Sequence, residues 1–264
     1  MMLPMARSVP ETVAETSHAF IARHFGDEGR AWLASLPDAL ATITRRWRLE
    51  LGPPLAGGLL AAVHVVTRAD GSQAVLKVGG PWSRTRDEIT ALRAWKGGPA
   101  PEILLADEEA GALLLERIEP GPRPAGASAN EVAALLPELQ IAPIDGIPTL
   151  AEVVDERLEQ ARREGRQTSK LAWAFAKLAE LERDPPPAVL LHGDFDERNL
   201  LVCARRGLIA IDPIPCAGDP AYDAGYWVHG CGQPGRRARL DALVELGFDR
   251  TRVRDWAAIV GVHG

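Results

Sequence analysis

The segment that most limits how this chain can fold is His192-Gly-Asp-Phe-Asp-Glu-Arg-Asn199, set between the apolar run Ala188–Leu191 and two more, Leu200–Cys203 and Leu208–Ile211. Arg205-Arg-Gly207 supplies the turn of a tight hairpin joining the last two runs. A hairpin brings its own ends together, so Asp194 and Asn199 before it and Asp212 after it converge at one end of a small sheet. Any one of these residues alone would only punctuate a turn. Together they form a set of hard oxygen donors that suits magnesium on phosphate groups, with a carboxylate to orient and deprotonate a hydroxyl.

The rest of the chain is arranged around that point. The first fifty residues carry Phe20, Ile21 and Phe25 at near-helical spacing, and Pro37-Asp38 is placed to start a new helix, which predicts two or three short helices. Leu59–Thr67 and Gln73–Val78 read as strands about an Asp70-Gly71 turn. A helix follows from Ser83 to Lys96, then a short hairpin of Ile103–Ala106 and Ala112–Glu116. Gly121–Ser128, rich in Gly and Pro, reads as a crossing between two lobes. Helices are expected over about 129–139, 149–164 with Thr149 as cap, 168–183, 236–247 and 250–262. The apolar run after Trp256 lacks a capping residue, so a further helix is expected beyond it.

The pattern HxDxxxxN, followed thirteen residues later by an aspartate after an apolar strand, resembles the core of protein-kinase-like enzymes. Gly193, Ile211-Asp212-Pro213 and Gly218-Asp219-Pro-Ala-Tyr-Asp223 narrow the resemblance to the aminoglycoside phosphotransferases, in their streptomycin and hydroxyurea branch, over nearly all of the chain. The resemblance implies an α+β, bilobal fold: an N-lobe with a small antiparallel sheet (1–116), a hinge (117–121) and a mainly helical C-lobe (122–264), with ATP in the cleft. It makes Asp194 the catalytic base, Asn199 and Asp212 the Mg²⁺ ligands, and His192 a brace for their loop. Lys77, in the strand Ala74-Val-Leu-Lys-Val78, would grip the phosphates with Glu88 as its partner, Asp87 being the alternative. Backbone groups at Glu116 and Ile118 would meet the adenine, and Gly52-Pro-Pro-Leu-Ala-Gly-Gly58 would cover the phosphates. Asp219 is expected to support the catalytic loop. Asp223, Asp241 and Glu245 are expected to face an acceptor, since this family lines that pocket with carboxylates for polycationic substrates.

The implied activity is an ATP- and magnesium-dependent kinase acting on a hydroxyl of a small molecule, with streptomycin as first acceptor. Hydroxyurea, a sugar or an amino alcohol is the alternative, and a nucleotide-binding pseudokinase a further one. A metal-dependent hydrolase built on His192, Asp194 and Asp212 lacks a further ligand: His18, His24, His64, His229 and His263 show no HxH or HExxH spacing. With 30 Lys+Arg against 36 Asp+Glu, the net charge of -6 disfavours a nucleic-acid partner. No apolar run is long enough for a signal peptide or membrane helix, and Cys203, Cys216 and Cys231 make neither an even disulfide set nor a CxxC pair. A cytoplasmic enzyme with reduced thiols is therefore expected. The seven tryptophans are expected to be core residues.

Overall fold

A computed structural model describes residues 15–55, 60–122, 128–231 and 233–263, which fall into two compact units. The first comprises the described residues up to Ile89 together with Ile103–Arg117; the second comprises Thr90–Glu102 and the described residues from Ile118 onward.

In the first unit, helices α1 (Glu15–His24) and α2 (Gly26–Trp47) precede a five-stranded antiparallel sheet. Its strands are β1 (Leu49–Pro54), β2 (Ala61–Arg68), β3 (Gln73–Gly79), β4 (Ile103–Asp107) and β5 (Ala112–Glu116), in the order β1-β2-β3-β5-β4. Between β3 and β4 in the sequence comes helix α3 (Thr85–Trp95), of which the part up to Ile89 belongs to this unit and the rest to the second. Alternation along β3 turns Ala74, Leu76 and Val78 into a core shared with Leu33, Leu36, Leu40 and Ile43 of α2. The opposite face of β3 carries Val75 and Lys77.

The expected break at Pro37 does not occur, because α2 runs through it. Proline in a helix interior costs about 3 kcal/mol. The four buried side chains on either side of it contribute about 1.5–3 kcal/mol each, so packing wins. Gly52-Pro53-Pro54 likewise belongs to strand β1 rather than to a loop, and prolines are tolerated there because β1 is an edge strand. The remainder of the expected phosphate-covering loop, 56–59, lies outside the described residues.

The second unit holds β6 (Pro120–Pro122), α4 (Ala129–Ala133), α5 (Leu136–Leu139), α6 (Leu150–Arg163), α7 (Thr168–Leu181), β7 (Val189–Leu191), β8 (Leu200–Cys203), β9 (Gly207–Ala210), β10 (Cys216–Gly218), α8 (Ala221–His229), α9 (Gln233–Glu245) and α10 (Arg250–His263). The β8–β9 hairpin forms as expected, with β6 added to its edge, while β7 pairs antiparallel with β10. Thr149 caps α6 through a full capping box with Glu152. The helix expected over 129–139 is two short ones, since Pro137 has no N–H to continue the ladder. Trp227, Trp256 and Trp95 are buried, but Trp173 is 42% exposed, contrary to the core role expected of it.

Helix α8 crosses α10 at close range. A Cβ on Gly225 would lie 2.6 Å from Trp256 Cβ and 2.8 Å from the Ala257 nitrogen, so only glycine allows this approach. Gly225→Ala is expected to destabilise the protein by about 1–3 kcal/mol through overpacking. Urea unfolding should show a lower midpoint with an unchanged slope, and an unchanged midpoint would mean that the helices part without penalty.

Candidate active site

Strand β7 delivers the chain into the 192–199 loop, which is shaped by one buried carboxylate. Asp223 accepts the His192 N–H at 2.7 Å and the Gly193 N–H at 2.9 Å, one on each oxygen. Burial pushes the Asp223 carboxyl up to about 6, against the pull of those two amides and of Arg157. It therefore remains ionised at neutral pH, the form that accepts both bonds. Gly193 has φ of +77°, and a Cβ there would sit 1.8 Å from the Ile214 carbonyl oxygen. Arg157 closes the other side of the turn, donating to the Gly193 carbonyl at 3.1 Å and to the Tyr222 hydroxyl.

His192 is fully buried, and burial lowers its pKa. Its Nε2 lies 3.0 Å from the Ile211 carbonyl, an acceptor only, which assigns the proton to Nε2 and leaves Nδ1 to accept the Asp194 N–H at 3.4 Å. A neutral imidazole thus ties the loop to the end of the β8–β9 hairpin. Asn199 makes the other tie: its backbone oxygen accepts the Ile211 N–H at 2.8 Å, and its amide donates to the Asp194 carbonyl at 2.9 Å and to Asp194 Oδ2 at 2.8 Å. Tyr226 of α8 lies close enough to Asp194 to feel its charge. Burial, followed by the Asp194 charge, raises the Tyr226 phenol, so it stays a donor. Asp194 and Asn199 are half-buried; Asp212, in a left-handed conformation with φ of +58°, is exposed.

The loop thus presents a carboxylate held by the Asn199 side chain, whose amide oxygen is an available acceptor. Asn199 and Asp212 offer one amide and one carboxylate oxygen, the sparse hard-donor set that Mg²⁺ accepts when phosphates and water complete its shell. The residues therefore fit that ion.

Two carboxylates occupy places other than those expected. Asp223, expected to face an acceptor, is enclosed beneath the loop. Asp219, expected to support the loop, instead accepts the Ala221 N–H at 2.9 Å and binds Arg252 and Trp256 of α10, fixing the start of α8. On α9, Asp241 is bound by Arg250 at 2.6 Å and Arg237 at 3.7 Å, and Glu245 lies 3.5 Å from the Asn130 amide. Asp241 is already neutralised and is poorly placed to attract a free cation. Arg157 and Tyr226 were not anticipated. Arg157 sits in an amphipathic helix where an arginine reads as solvated, and Tyr226 lies in a helix with no periodic signal.

In the first unit, Lys77 Nζ donates to both oxygens of Glu88, at 2.7 and 2.8 Å, with side chains only 14% and 8% exposed. Glu88, not Asp87, is the partner. Glu116 ends β5 opposite Ala74. In the second unit Ile118 is buried with Cys203 and Ile209.

The family described as aminoglycoside/hydroxyurea antibiotic resistance kinase matches residues 46–263. The chain is 34% identical to streptomycin 6-kinase of Streptomyces glaucescens, across 94% of this chain and 86% of that protein. It is 36% identical to hydroxyurea phosphotransferase of Kitasatospora aureofaciens, across 89% and 73% respectively. Among solved structures, macrolide 2'-phosphotransferase type I superposes with a TM-score of 0.60 at 19% identity, covering 86% of this chain and 89% of that one, which places the fold among kinase-like phosphotransferases.

Two predictions follow from the geometry. Breaking the buried pair from one side, by Lys77→Met or Glu88→Leu, should destabilise the fold by about 3 kcal/mol, whereas the double replacement should be less damaging than either single one. Additive losses in urea melts would show that the pair is not a unit. Asp223→Ala orphans two buried amides at about 1–3 kcal/mol each, and hydrogen exchange at His192 and Gly193 should accelerate. Unchanged protection there would remove Asp223 from its role as brace.

Proposed function

The chain belongs to the aminoglycoside/hydroxyurea antibiotic resistance kinase family, and we propose that within it the chain transfers the γ-phosphoryl group of ATP to a hydroxyl of an aminoglycoside, streptomycin first. The observation that carries this reading is the Asp194 carboxylate, held by Asn199 on a loop that Asp223 fixes from beneath.

In the proposed reaction Asp194 accepts a hydrogen bond from the acceptor hydroxyl, orients its oxygen toward the γ-phosphorus and takes its proton as the new P–O bond forms. ADP carries away the electron pair of the breaking bond. Asn199 keeps the carboxylate fixed in direction, so little reorganisation is needed when the proton moves. His192, neutral and buried, supplies shape rather than charge. Lys77, kept charged and extended by Glu88, is assigned to the phosphates. Asn199 and Asp212 would hold Mg²⁺, which when bound neutralises phosphate charge.

Hydroxyurea is the second reading, supported by 36% identity to a hydroxyurea phosphotransferase and by the pairing of Asp241 with arginines, which removes one expected attraction for a guanidinium sugar. ADP release measured with ATP and Mg²⁺ in the presence of streptomycin or hydroxyurea decides between them. Streptomycin-dependent turnover is expected; turnover with hydroxyurea alone would replace the first reading, and turnover with neither would reject both acceptors. Asp194→Asn should lower kcat by about 10²–10⁴-fold while leaving ATP affinity within a few-fold. A variant that kept most of its turnover would remove Asp194 from the role of base.

A further inference from the structure

Helices α7, α8, α9 and α10 enclose an open cavity of about 720 Å³ in the second unit, and its wall is cationic. Lys170 and Trp173 of α7, Arg236 of α9, and Arg250 and Arg254 of α10 line it, with His229 at the end of α8. Among the described residues, no carboxylate lines it. This concentration of positive charge runs against the net charge of -6.

Elsewhere in this unit buried or half-buried arginines have partners: Arg157 on the Gly193 carbonyl, Arg239 on Glu197, Arg252 on Asp219. Arg250 also shares Asp241 with Arg237. Lys170, Arg236 and Arg254 make no ion pair among the described residues, and the Arg236 Nε is buried without a hydrogen-bond partner. Burial, and then the Arg236 charge, lower the His229 pKa, so that ring faces the cavity uncharged. Like charges gathered in a concave wall repel one another more than on an open surface, because less water separates them. An anion relieves that repulsion. Guanidinium groups match phosphate in particular, offering paired N–H donors to its oxygens.

Trp173 adds the second half of a recognition surface. Its indole is 42% exposed on the cavity wall, one helical turn from Lys170 on α7. An aromatic face beside cations suits a ligand with an organic body as well as a phosphate.

We propose that this cavity binds a phosphorylated small molecule, the phosphate held by Arg236, Arg254 and Lys170 and the organic part resting on Trp173. The shared chemistry is a phosphate ester; a nucleotide and a phosphorylated acceptor are its two possible sources.

The test is calorimetric titration of the full-length protein with inorganic pyrophosphate at low ionic strength. Lys170→Ala/Arg254→Ala alters two exposed side chains, so the fold is retained, as circular dichroism verifies. The double variant should weaken pyrophosphate by at least about tenfold, while Arg163→Ala/Arg183→Ala, which removes two exposed arginines outside the cavity, should leave it unchanged. Equal weakening by Arg163→Ala/Arg183→Ala, indifference to Lys170→Ala/Arg254→Ala, or no binding by the unaltered protein would each overturn the proposal. AMP and glucose 6-phosphate, each titrated against the unaltered protein and Lys170→Ala/Arg254→Ala, distinguish the sources through the binding that the double variant removes. Tighter AMP that weakens on Trp173→Ala identifies a nucleotide, and tighter glucose 6-phosphate a phosphorylated acceptor. If neither gains over pyrophosphate, the organic half of the proposal is overturned.

Discussion

The 192–199 loop depends on a single buried carboxylate. Asp223 lies 29 residues beyond Asp194 in the sequence, yet its two oxygens hold the consecutive amides that set the direction of everything downstream. Two N–H groups pointing the same way are what a strand leaves exposed when it turns sharply, and a carboxylate satisfies both with one side chain. The turn is sharp because Gly193 adopts a backbone conformation that other residues rarely tolerate. Asp223, Gly193 and Arg157 therefore form a scaffold for Asp194, and none of them is expected to touch a reactant.

A similar economy appears in the first unit, where one ion pair is enclosed between strand and helix. Alternation along β3 sends Lys77 to the face opposite the α2 core, and α3 brings Glu88 to meet it. The pair is mostly buried, so its value lies in orientation: removing either member leaves an uncompensated charge in a poorly solvated place.

What could be read from the sequence was mostly local. The Asp70-Gly71 hairpin, the Thr149 capping box, the β8–β9 hairpin and the partnership of Lys77 with Glu88 all depend on residues close in the chain or on a simple period of two. What stayed hidden depends on distant packing. Helix α8 has no stripe to reveal it because nearly all of its residues are buried. Asp219 and Asp223 are four residues apart and indistinguishable in type, and only the fold sends one toward α10 and the other beneath the loop. Pro37 looked like a boundary because a local rule was applied where burial decides, and Trp173 looked like core because its neighbours are apolar. The cationic cavity gathers side chains from four helices, and no single segment announces it.

Gly193 also bears on how such a chain can change over generations. Any side chain there meets the Ile214 carbonyl at 1.8 Å, and repositioning that carbonyl would disturb the hydrogen bond by which the Ile214 amide, on the same residue, holds the His192 carbonyl. A drift toward arginine, the residue usual at this place in protein kinases, would thus require the following segment to move in the same step. Position 193 and the segment carrying Ile214 are thus coupled through one backbone contact, and a change at either constrains the other.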